Sequence, residues 1–405
     1  MNHFQKFYHK DLQKSYKKFL YPYDKKSIII SIRNKTIRGK YNKIVLDNLI
    51  NETYDIFNLL ANVKNACTQD AVVLISYYNH LWEPLLNIAT KLNLRKKSLN
   101  QNWIDDEDIS NFLNLTGFQV ISFRKRMLMP FNIPLITPFM NDYVANLPLI
   151  NNLCLSTLVV ARPINNQSKD LTVSIIIPSR NEEGNIPKIV PSIPKFGKSQ
   201  EIIFVEGNSK DNTWNEIVKA SNKYKNVKYF KQKGQGKADA VWLGFEKAEG
   251  DVLVIYDADR TVDAKELPRF YNLIKENPHT FINGSRLVYP MESQAMMTLN
   301  KLGNKVFGYL FTWILGQRFK DTLCGTKVIL KTDYFYIKKY YQHLFRIDPF
   351  GDFALIFGSL KSNLKIIELP IRYKDREYGS TNISRFKHGF ILLNMTIKAF
   401  KEFRL

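Results

Sequence analysis

The sequence has few cysteines and no long apolar run. Its three cysteines, Cys67, Cys154 and Cys324, lie far apart and are odd in number, which excludes a disulfide framework and a clustered-thiolate zinc site. The longest apolar stretch, roughly residues 306–316, is too short to span a bilayer, and the first 20 residues lack the apolar core of a signal peptide. We therefore expect a cytoplasmic protein in a reducing compartment.

Acidic residues are also scarce, since 37 Asp and Glu face 59 Lys and Arg and leave a net charge of +22. Residues 1–40 carry eleven basic and two acidic residues, and residues 361–405 carry ten and four. This concentration predicts an acidic partner, either nucleic acid or an anionic membrane, although a solvated lysine-rich surface also explains it. A hydrophobic content of 45% excludes a disordered polycation.

The C-terminal segment is both basic and amphipathic. Apolar residues recur there at helical spacing with Lys and Arg between them: Phe386, Phe390, Leu393, Ile397, Phe400 and Leu405. Such a pattern suits a helix lying on a membrane surface, and equally an ordinary helix packing on a core.

A length of 405 residues predicts two or three domains, and a polar break at residues 162–171 separates two units. From Val173 onward, apolar β-branched runs alternate with amphipathic helical stretches, which predicts a parallel sheet covered on both faces. The first unit shows the same alternation more weakly. Ligands bind such sheets at the carboxyl ends of the strands, where this sequence places its polar motifs.

Three of these motifs suit a nucleotide. Residues 178–184, PSRNEEG, follow the first strand and open a helix, whose free N–H groups attract phosphate, although capping also explains them. Glu206 follows the second strand, where a carboxylate can accept hydrogen bonds from a base or ribose. Gly234 to Ala240 places a flexible loop and Lys237 at another helix start.

The strongest single motif is Asp257-Ala258-Asp259, directly after the apolar run VLVIY. Carboxylates at i and i+2 face opposite ways in a regular strand, so the chain must turn for both to reach one point. Hard oxygen donors of this kind suit Mg²⁺ or Mn²⁺ shared with a diphosphate, and such an ion would offset charge on a departing nucleoside diphosphate.

With these motifs together, residues 172–382 resemble the family 2 glycosyltransferases, and most of all the dolichyl- or polyprenyl-phosphate sugar transferases. The matching pieces, in order, are SIIIPSRNEEGNI, VEGNSKD, GQGKADA, YDAD, INGSR, DTLCGTKV, DPFGDF and ELPIRYKDREYGSTNI. One departure is that many relatives carry two acidic residues where this chain has Glu206-Gly207-Asn208-Ser209, which leaves base specificity open.

The resemblance implies a GT-A fold, Rossmann-like with a mostly parallel sheet, together with a UDP- or GDP-linked sugar donor, one Mg²⁺ or Mn²⁺ ion and inversion at the anomeric carbon. It implies the following roles: nucleotide binding by Pro178, Arg180, Glu182, Glu206, Lys237 and Asp257; metal binding by Asp257 and Asp259; catalysis by Asp352; and acceptor phosphate binding by Arg372, Arg376 and Ser380. Asp348 competes with Asp352 for the catalytic role. The two arginines would otherwise pair with acidic neighbours such as Glu368.

Residues 40–163 resemble the C-terminal half of a class I S-adenosylmethionine-dependent methyltransferase. The early Gly-x-Gly turn that approaches the cofactor is missing, since Gly39 is the only glycine before Lys40. We therefore expect a partial Rossmann-like α/β module that does not bind S-adenosylmethionine and serves in packing or docking.

The sequence predicts three regions, namely a degenerate methyltransferase-like module (1–165), a GT-A domain (171–385) and a basic amphipathic helix (386–405). The leading hypothesis is an inverting, metal-dependent glycosyltransferase that acts peripherally at the cytoplasmic membrane on a polyprenyl phosphate or a cell-envelope glycan. The alternatives are a bifunctional methyltransferase/glycosyltransferase and a basic scaffold on membrane or nucleic acid. No nucleic-acid-binding signature supports the scaffold, so we expect no nucleic-acid partner.

Overall fold

The computed structural model describes residues 3–22, 26–31, 37–93, 95, 100–164, 169–289, 298–348, 351–376, 378 and 385–403. The chain divides into two compact units, the first comprising residues 1–165 and 400–405 and the second residues 166–399. Each unit has its own sheet.

The elements of the first unit follow in chain order. They are α1 (His3–Leu20), β1 (Ser27–Ile30), β2 (Tyr41–Leu46), α2 (Leu49–Glu52), α3 (Ile56–Ala66), β3 (Cys67–Tyr78), α4 (Glu83–Lys91), α5 (Asp106–Leu115), β4 (Phe118–Arg126), α6 (Ile136–Asp142) and β5 (Ser156–Pro163), with short 3-10 turns at His80–Trp82, Val144–Asn146 and Ile150–Leu153.

The first sheet has the order β1-β2-β3-β5-β4, in which β1, β2 and β3 are parallel and β5 runs antiparallel to β3 and β4. Alternate residues of β3 enter two different cores, as the two-residue period of a strand requires. Val73 and Ile75 pack with α3 and α5, whereas Val72 and Leu74 pack with α1. Helices therefore cover both faces of this sheet.

The hydroxyl groups of α1 reach the polar edge where β2 ends. Tyr16 Oη donates to Asp47 Oδ1 at 2.7 Å and lies 2.7 Å from Ser76 Oγ, and Tyr8 Oη donates to Asn48 Oδ1 at 2.8 Å. Both tyrosines are buried. This edge, at which a parallel sheet ordinarily binds its ligand, is occupied by side chains of the unit's own helix.

The elements of the second unit also alternate. They are β6 (Val173–Ser179), α7 (Ile186–Ser192), β7 (Gln200–Glu206), α8 (Thr213–Lys223), β8 (Val227–Lys231), α9 (Lys237–Lys247), β9 (Val252–Ile255), α10 (Leu267–Glu276), β10 (Thr280–Ser285), α11 (Thr298–Leu315), β11 (Lys327–Leu330), α12 (Lys331–Tyr340), α13 (Gln342–Ile347), α14 (Phe353–Lys361), β12 (Lys365–Pro370) and α15 (Arg385–Phe403).

The second sheet has the order β12-β10-β11-β9-β6-β7-β8. All neighbouring pairs are parallel except those that involve β11, which runs antiparallel to β9 and β10. The α/β class with mostly parallel sheets, predicted from the alternation of apolar strands and helices, is confirmed. The antiparallel strand matters for function, because it brings the start of β11 to the edge at which its neighbours end.

Candidate active site

The candidate site lies at the carboxyl ends of the parallel strands of the second unit. The ends of β6 and β7, and the segments that follow β6, β8 and β9, carry the predicted nucleotide and metal residues to this edge. Lys327, the first residue of β11, pairs with Ile255 of β9 and Asn283 of β10, so it joins them there. We describe the site as three charge clusters.

The first cluster is the pair Lys237–Asp257. Lys237 Nζ lies 2.5 Å from Asp257 Oδ1 at the start of α9. Burial alone would lower the pKa of Lys237, but the carboxylates of Asp257 and Asp352 raise it above its usual value. Burial would likewise raise the pKa of Asp257, but the cations around it, above all Lys237, hold it below its usual range. Both groups are therefore charged at neutral pH.

Gly325 leaves the space that this pair occupies. A Cβ atom added there would lie 1.8 Å from Asp257 Oδ2 and 2.7 Å from Lys237 Nζ. Since real Cβ atoms never approach an oxygen so closely, any side chain at residue 325 would displace the carboxylate.

The second cluster joins Asp259, Arg376 and Glu182. Arg376 Nη2 donates to Asp259 Oδ2 at 2.7 Å, and Arg376 Nη1 lies 3.8 Å from Glu182 Oε1. Thr261 fixes the other Asp259 oxygen through its N–H and its hydroxyl group. Burial raises the pKa of Glu182 to about 7, although Asn185 and Arg376 oppose that rise. One predicted metal ligand, Asp259, and one predicted acceptor residue, Arg376, thus lie in the same cluster.

The third cluster is the ion pair of Asp352 and Lys327. Lys327 is 1% exposed, and its Nζ lies 2.9 Å from Asp352 Oδ1. Its Nζ also donates to the carbonyl oxygen of Cys324. Asp348, the competitor for the catalytic role, accepts a 2.7 Å hydrogen bond from the N–H of Ala354 in the first turn of α14. A capping role therefore accounts for Asp348, whereas Asp352 pairs with a buried cation.

The other predicted nucleotide residues surround these clusters without a hydrogen bond or ion pair to them in the described part of the chain. Glu206 is buried at the end of β7, accepts from the N–H of Ser209 and lies 3.8 Å from Lys231 Nζ. Pro178 lies within β6, and Arg180 follows it as an exposed residue.

Among the predicted acceptor residues, only Arg376 joins a cluster in the described structure. The guanidinium of Arg372 lies 5.2 Å from the centre of the Tyr289 ring, a cation–π distance. Ser380, with the rest of residues 379–382, lies outside the described residues.

Sequence reasoning assigned no role to the buried pair Arg286–Asp321. Arg286 donates through Nε and Nη2 to the two oxygens of Asp321 at 2.7 and 2.8 Å, and Asn304 Nδ2 donates to Oδ1 at 2.8 Å. Burial opposes charge on Asp321, but Arg286 lowers its pKa to about 2. The motifs INGSR and DTLCGTKV contain both residues, so their position in two motifs was the available signal. Lys327 lies in the second of these motifs and was missed because a lysine in an apolar strand predicts a surface position.

No group of three or more His, Cys, Asp and Glu side chains in the described ranges forms a ready-made metal site. Asp257 and Asp259 are two oxygen donors on one loop, and each is paired with a cation in the structure. Two carboxylates fit a divalent ion whose remaining ligands come from a diphosphate and water.

Helix α15 buries one face and exposes another. Leu392 and Met395 are buried, whereas Phe390, Leu393 and Ile397 are 72, 48 and 49% exposed. The exposed residues belong to the apolar stripe predicted from the sequence, and the side chain of Phe386 and residue Leu405 lie outside the described part. No helix in the described ranges is both long and apolar enough to cross a membrane.

Residues 174–337 match the family model described as "Glycosyl transferase family 2". This stretch lies within the second unit and is similar to the family 2 glycosyltransferases, as the ordered motifs predicted, and the α/β fold class with a mostly parallel sheet is confirmed. A methyltransferase relationship of the first unit finds no support in these comparisons and stays a prediction.

Named relatives align to this domain at low identity. The chain is 27% identical over 220 residues to the dolichol-phosphate mannosyltransferase of Pyrococcus furiosus, covering 53% of this chain and 59% of that protein. It is 26% identical to a low-salt glycan biosynthesis hexosyltransferase of Haloferax volcanii, covering 55% and 54%, and 24% identical to the undecaprenyl-phosphate 4-deoxy-4-formamido-L-arabinose transferase of Proteus mirabilis, covering 53% and 64%. The chain thus spans between 54 and 64% of the length of these relatives.

Among solved structures, mannosyl-3-phosphoglycerate synthase from Rubrobacter xylanophilus superimposes with a TM-score of 0.42 and 18% identity, covering 57% of this chain and 74% of that one.

Proposed function

We propose that the protein is an inverting, metal-dependent glycosyltransferase that moves a sugar from a UDP- or GDP-linked donor to a polyprenyl phosphate at the cytoplasmic membrane surface. The observation that carries the proposal is the meeting of two carboxylate–cation pairs, Lys237–Asp257 and Arg376–Asp259, with a third pair, Lys327–Asp352, at the ligand-binding edge of the sheet.

We assign donor binding to the end of β7 and to the segments that follow β6, β8 and β9. Asp257 and Asp259 would hold Mg²⁺ or Mn²⁺, which would neutralise the negative charge that develops on the departing diphosphate. Lys237 would add a second positive charge at the start of α9, where free N–H groups also favour an anion. Glu206 would accept a hydrogen bond from the nucleoside.

The transfer step is an in-line displacement. The bond between the anomeric carbon and the diphosphate oxygen breaks, its electron pair leaves with the nucleoside diphosphate, and an acceptor oxygen bonds to the same carbon from the opposite face. A phosphate monoester, with a second pKa of about 6, is already anionic at neutral pH. Asp352, held by Lys327, would then orient the acceptor and would act as a general base only if the acceptor were a hydroxyl group.

Arg376 and the relatives support this acceptor class. Arginine binds phosphate oxygens with paired hydrogen bonds, and Arg376 lies within reach of the predicted metal ligand Asp259. Two aligned relatives are named for transfer to dolichol phosphate and undecaprenyl phosphate. A cell-envelope glycan hydroxyl is the second candidate acceptor, favoured by the glycan biosynthesis hexosyltransferase among the relatives.

A location at the membrane surface is supported by charge and by α15. The chain has a net charge of +22, and α15 presents Phe390, Leu393 and Ile397 to solvent beside basic residues. Exposed apolar side chains on a basic helix are typical of interfacial helices.

The decisive experiment screens UDP- and GDP-sugars for release of the nucleoside diphosphate, with Mg²⁺ or Mn²⁺ and with or without polyprenyl phosphate in detergent. We expect release to require the metal and to be stimulated by the lipid. If the lipid does not stimulate release but a glycan acceptor does, the acceptor is a glycan and not a polyprenyl phosphate. If no donor releases its nucleoside diphosphate, the proposal is wrong.

One double variant and one pair of single variants test the assigned residues. The double substitution Asp257→Asn and Asp259→Asn should abolish metal-dependent turnover. Asp352→Asn should lower kcat, and by roughly a hundredfold or more with a hydroxyl acceptor, for which Asp352 would be the general base. Its matched control is Asp348→Asn, which we expect to keep its cap, since an amide oxygen also accepts the N–H of Ala354, and to leave both stability and kcat near those of the wild type. A reversed result would transfer the catalytic role to Asp348.

A further inference from the structure

The first unit carries a surface on which apolar side chains are exposed and polar side chains are buried. It consists of residues 127–155, which we call the 127–155 surface. Between Met127 and Ala161 the chain has one charged residue, Asp142. Phe131, Ile136 and Phe139 are 62, 51 and 57% exposed. Soluble proteins rarely expose contiguous apolar surface of this kind unless it binds something.

The polar side chains of this surface point inward and hold its backbone. Thr137 is 2% exposed, accepts from the N–H of Ile133 and donates to the carbonyl oxygen of Phe131. Asn141 accepts from the N–H of Met129 and donates to its carbonyl oxygen, at 2.8 and 2.9 Å. The exposure of the apolar side chains is therefore built into a hydrogen-bonded loop structure and is not the result of loose packing.

Two Pro-Leu-Ile turns form the most exposed points of the surface. Leu135 and Leu149 are 87 and 82% exposed, with φ of +66° and +70° and ψ of −42° and −47°. In each turn the isoleucine N–H donates to the proline carbonyl oxygen, from Ile136 to Pro134 at 2.8 Å and from Ile150 to Pro148 at 2.9 Å. These are γ-turns of the rare form with positive φ, which is strained for leucine. The same uncommon turn occurs twice and projects a leucine into solvent both times.

A second exposed apolar face adjoins these turns. Asn79 Nδ2 donates to the carbonyl oxygens of Asn152 and Cys154, and Trp82 Nε1 donates to that of Leu153 at 2.8 Å. These bonds attach the start of α4 to the 127–155 surface. Along that segment Leu81, Leu85, Ile88 and Leu92 recur at helical spacing, and each is more than half exposed.

We propose that the 127–155 surface, with the exposed face of α4, is a docking site for an anionic lipid bilayer, into which Leu135 and Leu149 insert. Two observations favour lipid over a protein partner. The polar groups Thr137 and Asn141 are already bonded within the surface, whereas a protein interface needs about one hydrogen bond per 100–200 Å². The leucines also stand at the tips of turns, a convex arrangement that fits a fluid apolar phase. Lys125 and Arg126, at the end of β4, already pair with Asp106 and Asp11, so the preference for anionic lipid rests on the net charge of +22 of the chain.

This proposal extends the proposed function, with which it shares only the location at a membrane. The test uses the full chain without a nucleotide sugar, so that lipid binding is measured independently of turnover. Vesicles of phosphatidylcholine, with and without phosphatidylglycerol, are floated with wild-type protein and with the double variant L135N/L149N. Asparagine tolerates positive φ better than leucine does, so folding should be preserved or improved. We expect the double variant to bind anionic vesicles at least about tenfold more weakly.

The matched control is L115N, since Leu115 is 73% exposed in the same unit but precedes β4, whereas the 127–155 surface follows it. Its vesicle affinity should equal that of the wild type. A local readout is provided by L135W, whose fluorescence should shift to the blue and be quenched by brominated lipid. Unchanged affinity of the double variant together with an unquenched tryptophan would overturn the proposal. Loss of self-association in the double variant, seen by sedimentation without loss of vesicle binding, would instead assign the surface to a second copy of the chain.

Discussion

At the scale of single residues, Gly325 leaves less room for a side chain than any other glycine that the structure describes. Because a Cβ atom there would overlap Asp257 Oδ2, we expect Gly325→Ala to break the Lys237–Asp257 pair and to lower donor-dependent turnover by at least about tenfold. Gly303 in α11 supplies the control, since a Cβ atom there meets nothing within 4 Å. Gly303→Ala should raise the free energy of unfolding by about 0.5–1 kcal/mol and leave turnover unchanged. Equal activity of both variants would show that the pair is dispensable.

Glu182 should make stability depend on pH. Burial raises its pKa in the folded chain to about 7 from an ordinary value of 4.5. Between these values the folded chain binds more protons than the unfolded chain, so the free energy of unfolding should fall as pH rises from about 4.5 to 7, and then level off. The fall from this one group is at most about 3 kcal/mol.

Urea unfolding of the metal-free protein at pH 5 and pH 8 measures this effect. Glu182→Gln should remove most of that pH dependence, whereas Glu276→Gln, at an exposed position at the end of α10, should keep it. An unaltered slope in Glu182→Gln would mean that other groups set the pH dependence.

The charged residues of the site were only partly predictable. Lys237, Asp257, Asp259, Asp352 and Arg376 could be selected from their motifs, because the motifs place them after strands or at helix starts. Their pairing could not, since it depends on which loops meet at the sheet edge.

At the scale of elements, α1 depends on a few polar contacts at the end of β2. Tyr16→Phe removes the hydroxyl group that donates to Asp47 and contacts Ser76. Because Asp47 then loses a partner at a part-buried site, we expect the free energy of unfolding to fall by about 1–3 kcal/mol. Urea denaturation followed by circular dichroism measures it. Tyr21→Phe, at a half-exposed position, should change it by less than about 0.5 kcal/mol, and equal losses in both variants would refute the assignment.

Strand positions were easier to predict than strand directions. The apolar runs before Pro178, Glu206 and Asp257 form β6, β7 and β9, because a strand buried on both faces needs continuous apolar residues. Neither β1 nor the antiparallel course of β11 was predicted. The direction of a strand is set by how the intervening chain returns to the sheet. The spacing of apolar residues therefore does not predict it.

At the scale of the whole molecule, the net charge of +22 should govern membrane affinity. Screening over a Debye length of about 10 Å at 0.1 M salt, and about 3 Å at 1 M, weakens attraction to anionic lipid. We expect affinity for vesicles with phosphatidylglycerol to fall as salt rises, while the weaker binding to pure phosphatidylcholine stays nearly constant. Flotation over a salt series measures both. If salt does not change the affinity for either kind of vesicle, apolar insertion alone binds the protein to the membrane.

The packing of α1 also has a consequence during protein synthesis. Its buried residues Tyr8, Leu12 and Tyr16 close against Leu158 and Val160 of β5, which the ribosome makes much later. At translation rates of about 5–20 residues per second, this basic, amphipathic helix emerges on the order of ten seconds before its partners do. During that interval the apolar face of α1 is exposed and can bind a chaperone or a nearby membrane.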